Sequence, residues 1–305
     1  MRMIFDYIRR YFYEQNRKLF ALTTLFVAGL IFLNYFFEID SWISNQRDFT
    51  ISFLCRWGIF LIAFILPYFF YWLIKRKNYF IEPFFILLII LAPAIFGLKV
   101  ALNIPLQLHS NANWNDYWNH IFYWPLLLVT VIFILFFIWK TYYNNESFFG
   151  ATFKHFKWKP YLLMLLIMMP LIAAASTQPD FLEMYPKLQL ISGVYTETDI
   201  RWYHKLLFEL SYGSDFIGIE LFFRGFLILA FLQWAGKDAI LPMACFYCTI
   251  HFGKPLGECI SSYFGGIILG VVVYHTRSIF GGLIVHLGIA WLMEIGGYFG
   301  TPLSP

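Results

Sequence analysis

The sequence predicts an all-α protein, a polytopic transmembrane helical bundle with about eight or nine spans. Hydrophobic residues make up 60% of the 305 residues and charged residues only 13%, whereas a soluble domain is roughly half apolar and about a quarter charged. The aromatic share of 22% is typical of side chains that face lipid tails and the headgroup region. Because the chain has too little polar surface to cover a water-soluble fold, we expect an integral membrane protein.

The predicted helices are apolar runs of about the length that crosses a bilayer. A bilayer core takes about 20 helical residues. The first run, Leu19 to Phe37, has this length and lacks a small-residue cleavage signature, so we expect a retained span rather than a signal peptide. Further runs fall near residues 57–74, 81–98, 120–139, 161–175, 214–235, 239–252, 257–276 and 279–297.

Polar residues divide the chain into regions. The spans before the longest polar stretch are almost purely apolar, whereas those after it carry ionisable groups, so we expect function to reside in the second half. The predicted regions are an amphipathic, basic N-terminal segment (1–18), an accessory transmembrane region (19–176), a polar connecting loop (177–204), a functional core (205–297) and a tail (298–305).

Lys and Arg residues lie mainly in short segments between the apolar runs. With nine spans and a cytoplasmic N-terminus, most of them fall on the inner side, as the positive-inside rule requires. We expect membrane lipid as a partner. No dense basic patch of the kind that follows phosphates is present, so we expect no nucleic-acid partner.

Ionisable side chains inside the apolar runs indicate the candidate site. Glu220 and Arg224 are four residues apart in one run, which places them on one face of an α-helix. Each charge costs roughly 2.5–3.5 kcal/mol in hydrocarbon on insertion scales. The pair is therefore either part of a polar cavity or an internal ion pair that locks this helix against a neighbour.

Further ionisable residues lie on the neighbouring runs. His251 ends one run, Glu258 opens the next and His286 lies inside the last. Carboxylates and imidazoles that converge inside a helical bundle are suited to hydrolysis. A carboxylate in a low dielectric accepts a proton from water, and imidazoles hold a metal, a water or an oxyanion.

Three short motifs lie in order across these runs: Ile219 to Gly225 (IELFFRG), Tyr247 to His251 (YCTIH) and His286 to Ala290 (HLGIA). In them the sequence resembles the CPBP group of intramembrane proteases, which includes type II CAAX prenyl endopeptidases and bacteriocin-processing enzymes. The resemblance covers about residues 205–297, which would make this region a CPBP-like helical catalytic core.

Two positions depart from the motifs of that family. The family begins its first motif with a pair of Glu residues, and Ile219 replaces the first of them. The family ends its third motif with Asn, which Ala290 replaces. The missing Glu is the residue that the family is thought to use as the base that activates water.

The resemblance implies a membrane-embedded endopeptidase, a hydrolase of a bacterial cytoplasmic membrane that cuts a membrane-associated peptide or protein. In this hypothesis Glu220 or Glu258 is the general base. His251 and His286 hold the water, an oxyanion or one divalent metal, with zinc the expected ion, and Arg224 orients the carboxylate.

Two other functions are compatible with the sequence. The first is a catalytically silent relative that binds a membrane peptide or partner, for example in bacteriocin self-immunity; the two lost polar positions favour it, and the surviving His pair favours the enzyme. The second is a small transporter that relays protons through intramembrane carboxylates, although no inverted repeat is visible.

Overall fold

The computed structural model describes residues 2–154, 156–191 and 200–300, and within these ranges the regular structure is helical, with no strand. Part of the predicted connecting loop (192–199) and most of the predicted tail (301–305) lie outside the described residues. In chain order the helices are α1 (Arg2–Glu14), α2 (Arg17–Phe37), α3 (Ile39–Ser44), α4 (Phe49–Lys75), α5 (Pro83–Ala101), α6 (Ala112–Tyr142), α7 (Lys159–Ala175), α8 (Pro179–Met184), α9 (Trp202–Glu220), α10 (Leu232–Ala235), α11 (Ile240–Thr249), α12 (Leu256–Thr276) and α13 (Phe280–Gly300). A π-helical segment covers Leu221–Ala230, and short 3-10 turns lie at Phe148–Gly150, Lys187–Leu190 and Gly236–Ala239.

The predicted fold class, a polytopic helical bundle, is confirmed. Among the described residues, six helices are long and apolar enough to cross a membrane: α2, α4, α5, α6, α12 and α13. The other three predicted runs also form helices, but α7 is shorter and α11 has only ten residues. The run predicted at 214–235 is divided between α9, the π-helical segment and α10.

Polar residues start several of the long helices at defined positions. Asn16, Asp48 and Asn111 precede α2, α4 and α6, and each side-chain oxygen accepts a hydrogen bond from the backbone N–H three residues further on. Such caps satisfy a backbone donor that has no partner inside the helix. Within each apolar run the backbone groups bond to one another in the helix, because lipid offers them no other hydrogen-bonding partner.

The chain forms two compact units. The first comprises Met1–Asn103, Phe149–Ala151 and Phe223–Ser278. In it α4 packs against α5 and α11, and α12 packs against α11. Aromatic rings fill the space between α4 and α11, where the ring centroids of Phe64 and Phe246 are 5.8 Å apart. The short helix α11, which precedes His251, is therefore embedded among helices of the accessory region.

The turn before α11 is attached to the accessory helices by charged groups. Lys237 in this turn forms an ion pair with Glu14 at the end of α1. Asp238 is buried and accepts hydrogen bonds from Lys77 and Tyr79, both at 2.8 Å. Because a buried carboxylate is stable only when it is paired, these contacts hold the start of α11 in place.

The second unit comprises Ile104–Phe148, Thr152–Phe222 and Ile279–Pro305. Here α9 packs against α6 and α13, and α13 packs against α7. Gly213 allows the close approach of α9 to α13, because a Cβ atom there would lie 3.2 Å from the Trp291 ring. Small residues at helix contacts are typical of membrane bundles.

We expect Gly297→Ala to destabilise the second unit. A Cβ at this position would lie 2.5 Å from backbone atoms of Tyr185 and Pro186, which cannot move aside as a flexible side chain would. Overpacking of this kind typically costs about 1–3 kcal/mol. Thermal unfolding in detergent should show a midpoint several degrees lower.

The matched control is Gly29→Ala, because nothing lies within 4 Å of its Cβ position and Ala favours helix more than Gly does. Its unfolding midpoint should stay the same or rise. Equal midpoints for Gly297→Ala and the wild type would contradict the close packing of α13.

Candidate active site

Glu220 and His286 form a hydrogen-bonded pair inside the second unit. Glu220 is the last residue of α9, and its side chain is completely buried. His286 lies in α13 with 12% of its side chain exposed, and its Nδ1 is 2.8 Å from Oε1 of Glu220. The structure thus joins two residues that the sequence analysis selected and that are separated by 66 positions.

The pairing determines which nitrogen of His286 carries the proton. When the Glu220 carboxylate is ionised it can only accept hydrogen bonds, and Nδ1 of His286 is then the donor. In a neutral imidazole the lone pair then resides on Nε2. The ring of Phe216 packs against the imidazole edge-to-face, with 4.7 Å between centroids, and holds its plane. An imidazole oriented in this way can accept a proton or bind a metal through Nε2.

The two residues that depart from the family motifs lie beside this pair in one apolar cluster. Ala290 is buried together with Tyr212 and Phe216, and Ile219 packs against the same group. The positions of the two polar side chains missing from the first and third motifs are therefore both occupied by apolar residues of one cluster.

A second group of motif residues lies in the first unit. Arg224 is completely buried, and its guanidinium carbon lies 3.9 Å from the centroid of the Tyr247 ring. A cation over the face of an aromatic ring is attracted by the negative charge of that face. The ring of His251 packs edge-on against Tyr247, with 4.8 Å between centroids. Tyr247, to which the sequence analysis assigned no role, connects the other two.

His251 has the same tautomer as His286, for a similar reason. Its Nδ1 lies 3.0 Å from the backbone carbonyl of Tyr247. Because a carbonyl oxygen only accepts, Nδ1 carries the hydrogen and Nε2 the lone pair. Both motif histidines thus present the nitrogen that acts as a base or as a ligand.

The helical winding changes within the first motif. The α-helix α9 ends at Glu220 and the chain continues as a π-helix over Leu221–Ala230, which contains Arg224. The prediction that Glu220 and Arg224 share one face assumed α-helical spacing between them. The residues from Leu221 onward have π-helical spacing instead. Short π-helical stretches occur frequently at functional sites.

Glu258 lies in the first turn of α12, with its Oε1 3.5 Å from Nζ of Lys254. Its role as a substitute acid stays a prediction. Among the residues that the structure describes, no three or more His, Cys, Asp or Glu side chains are grouped to hold a metal ion. A catalytic zinc takes three protein ligands; the expected zinc site therefore stays a prediction, and no chemical step below depends on it.

Two neighbouring carboxyl groups in the second unit, those of Glu209 and Glu294, were not identified by sequence analysis. Burial and the neighbouring Glu294 raise the pKa of Glu209 to about 8. Oε2 of Glu294 accepts a hydrogen bond of 2.8 Å from the backbone N–H of Lys187. The available signal was an acidic residue, Glu294, inside the last apolar run.

Comparison with known proteins finds one family that is similar to the segment with the motif residues. Residues 210–292 match the family described as type II CAAX prenyl endopeptidase Rce1-like. No curated protein and no solved structure matches the chain. The matched segment contains Glu220, Arg224, His251, Glu258 and His286. Residues 210–292 are therefore similar to the Rce1-like family of type II CAAX prenyl endopeptidases, which supports the resemblance to the CPBP group.

Proposed function

We propose that this protein is an intramembrane endopeptidase that hydrolyses a peptide bond of a membrane-associated peptide or protein. The observation that supports this most strongly is the 2.8 Å contact between the buried Glu220 carboxylate and the His286 imidazole. Both residues lie in the segment that matches a family of membrane endopeptidases. The proposed location is a bacterial cytoplasmic membrane, with the N-terminus inside.

In the proposed mechanism the Glu220–His286 pair is the general base. Nε2 of His286 takes a proton from a water molecule as its oxygen attacks the carbonyl carbon of the scissile bond. Glu220 accepts the Nδ1 hydrogen bond and stabilises the imidazolium that forms. The imidazolium then donates the proton to the nitrogen of the leaving peptide as the C–N bond breaks. Glu258, which the sequence analysis named as an alternative base, has no part in this scheme.

The other motif residues have supporting roles in the proposal. His251 is a second group that can act as a base or a ligand through Nε2, the nitrogen that carries its lone pair. The role of Arg224 in orienting the carboxylate stays a prediction from the sequence. A divalent metal, with zinc first among the candidates, remains a separate proposal that metal analysis of the purified protein decides.

Glu220→Gln, His286→Ala and His251→Ala should each lower the rate of peptide cleavage by detergent-purified protein. Loss of a positioned acid or base typically costs roughly 10²–10⁴-fold, and we expect the first two variants to fall in this range. Glu220→Gln retains the shape of the side chain but removes the charge that stabilises the imidazolium. Cleavage of a broad panel of peptides is measured by mass spectrometry, with and without a chelator.

Glu146→Gln and His109→Ala are the matched controls, because both residues are exposed and lie outside the matched segment. They should retain the wild-type rate. A folded Glu220→Gln variant with an undiminished rate would refute the proposed base. A chelator that abolished wild-type cleavage would show that the metal-free scheme is wrong.

A catalytically silent protein that binds a membrane peptide is the second candidate function. Its support is the apolar cluster that contains Ala290 and contacts Ile219, in place of two polar residues of the family motifs. Such a protein would bind its peptide without cutting it.

The double variant Ile219→Glu, Ala290→Asn distinguishes the two candidates. If the wild type is the enzyme we propose, these substitutions bring polar groups into an apolar cluster and should lower both the unfolding midpoint and the cleavage rate. If the wild type is silent, restoring the family motif is the change that would create activity. If the double variant cleaves peptides and the wild type does not, the result favours the second candidate function, a silent protein that binds a peptide.

A further inference from the structure

The loop that follows His251 is bound by a helix outside the family-matched segment. This loop connects α11 to α12. Nδ2 of Asn34 in α2 donates a hydrogen bond of 3.0 Å to the carbonyl of Phe252. The hydroxyl of the adjacent Tyr35 donates to the carbonyl of Lys254. Two carbonyls of the loop are therefore satisfied by side chains from more than 200 positions away.

Asn34 is held on its other side as well. Its Oδ1 accepts a hydrogen bond of 3.0 Å from the backbone N–H of Asp40 in α3. Only 3% of Asn34 is exposed, and the amide uses its donor and its acceptor together. An apolar side chain of similar size would leave the Asp40 N–H and the Phe252 carbonyl without these bonds. Asn34, a polar residue inside a membrane helix, thus links α2 to both α3 and the loop after His251.

Asp40 extends the contact to the loop backbone. Its Oδ1 accepts a hydrogen bond of 3.0 Å from Arg56. Its Oδ2 lies over Gly253, where a Cβ atom would come within 2.6 Å of that oxygen. A series of contacts therefore runs from Arg56 through Asp40 to the residue two positions after His251.

Two further contacts of His251 are made with the helix before it. Its backbone N–H donates to the carbonyl of Cys248 at 3.0 Å, and its ring contacts Tyr247. The last turn of α11 fixes His251 from one side, while α2 fixes the following residues from the other. If the loop were released, the imidazole would lose the support from α2 and keep its contacts to α11.

We propose that Asn34 and Tyr35 are positioning residues for His251, so that the accessory helix α2 is a working part of the active site. The inference rests on the proposed function only where it assigns His251 a role in hydrolysis. The structural statement, that α2 sets the orientation of the imidazole, is tested separately.

The experiment compares Asn34→Asp and Tyr35→Phe with the wild type. Asn34→Asp retains the acceptor for Asp40 but removes the donor to Phe252, and Tyr35→Phe removes one hydroxyl. Asn145→Asp and Tyr13→Phe are the matched controls, since both of those residues are exposed. Folding is checked by thermal unfolding and size-exclusion chromatography.

Two readouts are measured for each variant. The first is kcat and KM for a peptide that the wild type cleaves, where we expect a roughly tenfold to hundredfold fall in kcat with a small change in KM, as misplacement of a reacting group produces. The second is the rate at which diethyl pyrocarbonate modifies His251, followed by mass spectrometry. This rate should change several-fold, whereas the rate at His286 should not.

The second readout needs no activity, which separates the two proposals. If the wild type cleaves nothing but the variants change the modification rate of His251, the peptidase proposal fails and the positioning proposal stands. Folded variants with unchanged kcat and an unchanged modification rate at His251 would overturn the positioning proposal. A lower unfolding midpoint with neither readout altered would also overturn it, because α2 would then act on stability alone.

Discussion

The hydrogen bond between Glu220 and His286 is the interaction on which the proposed chemistry depends. A buried carboxylate in a membrane protein is costly unless a donor compensates it, and Nδ1 of His286 lies 2.8 Å away. The same bond leaves the lone pair of the imidazole on Nε2. One contact thus stabilises a buried charge and prepares a base.

The departures from the family motifs are understandable in this arrangement. Ile219 packs against the apolar cluster that contains Ala290, beside the Glu220–His286 pair. Both departures from the family motifs therefore lie in the same part of the second unit. With the family's first Glu absent, the remaining carboxylate, Glu220, supports an imidazole. The proposed base is therefore a carboxylate–imidazole pair, in which His286 transfers the proton and Glu220 stabilises the charge.

The sequence was sufficient to predict the membrane bundle, because this depends on local composition, whereas the residues of the candidate site stay a prediction. Glu220, Arg224, His251 and His286 stand out as ionisable groups inside apolar runs. Their partners were not predictable. Local spacing suggested Arg224 as a neighbour of Glu220, which stays a prediction, but it gave no sign of the hydrogen bond between Glu220 and His286 on a distant helix.

Other features depend on tertiary contacts or on local winding that composition does not encode. The π-helix after Glu220 changes which residues share a face, and apolar composition alone does not distinguish it from an α-helix. The role of Asn34 requires knowledge that α2 contacts the loop after His251. Asn34, the one amide side chain within the first apolar run, was the available signal.

The most direct test of the central claim is the 15N NMR spectrum of the His286 side chain in the detergent-solubilised wild type. We predict a protonated Nδ1 and an unprotonated Nε2 at neutral pH, with the Nδ1 signal altered in Glu220→Gln. A proton on Nε2 with a bare Nδ1, or a spectrum unchanged by Glu220→Gln, would contradict the pairing of these two residues and the mechanism derived from it.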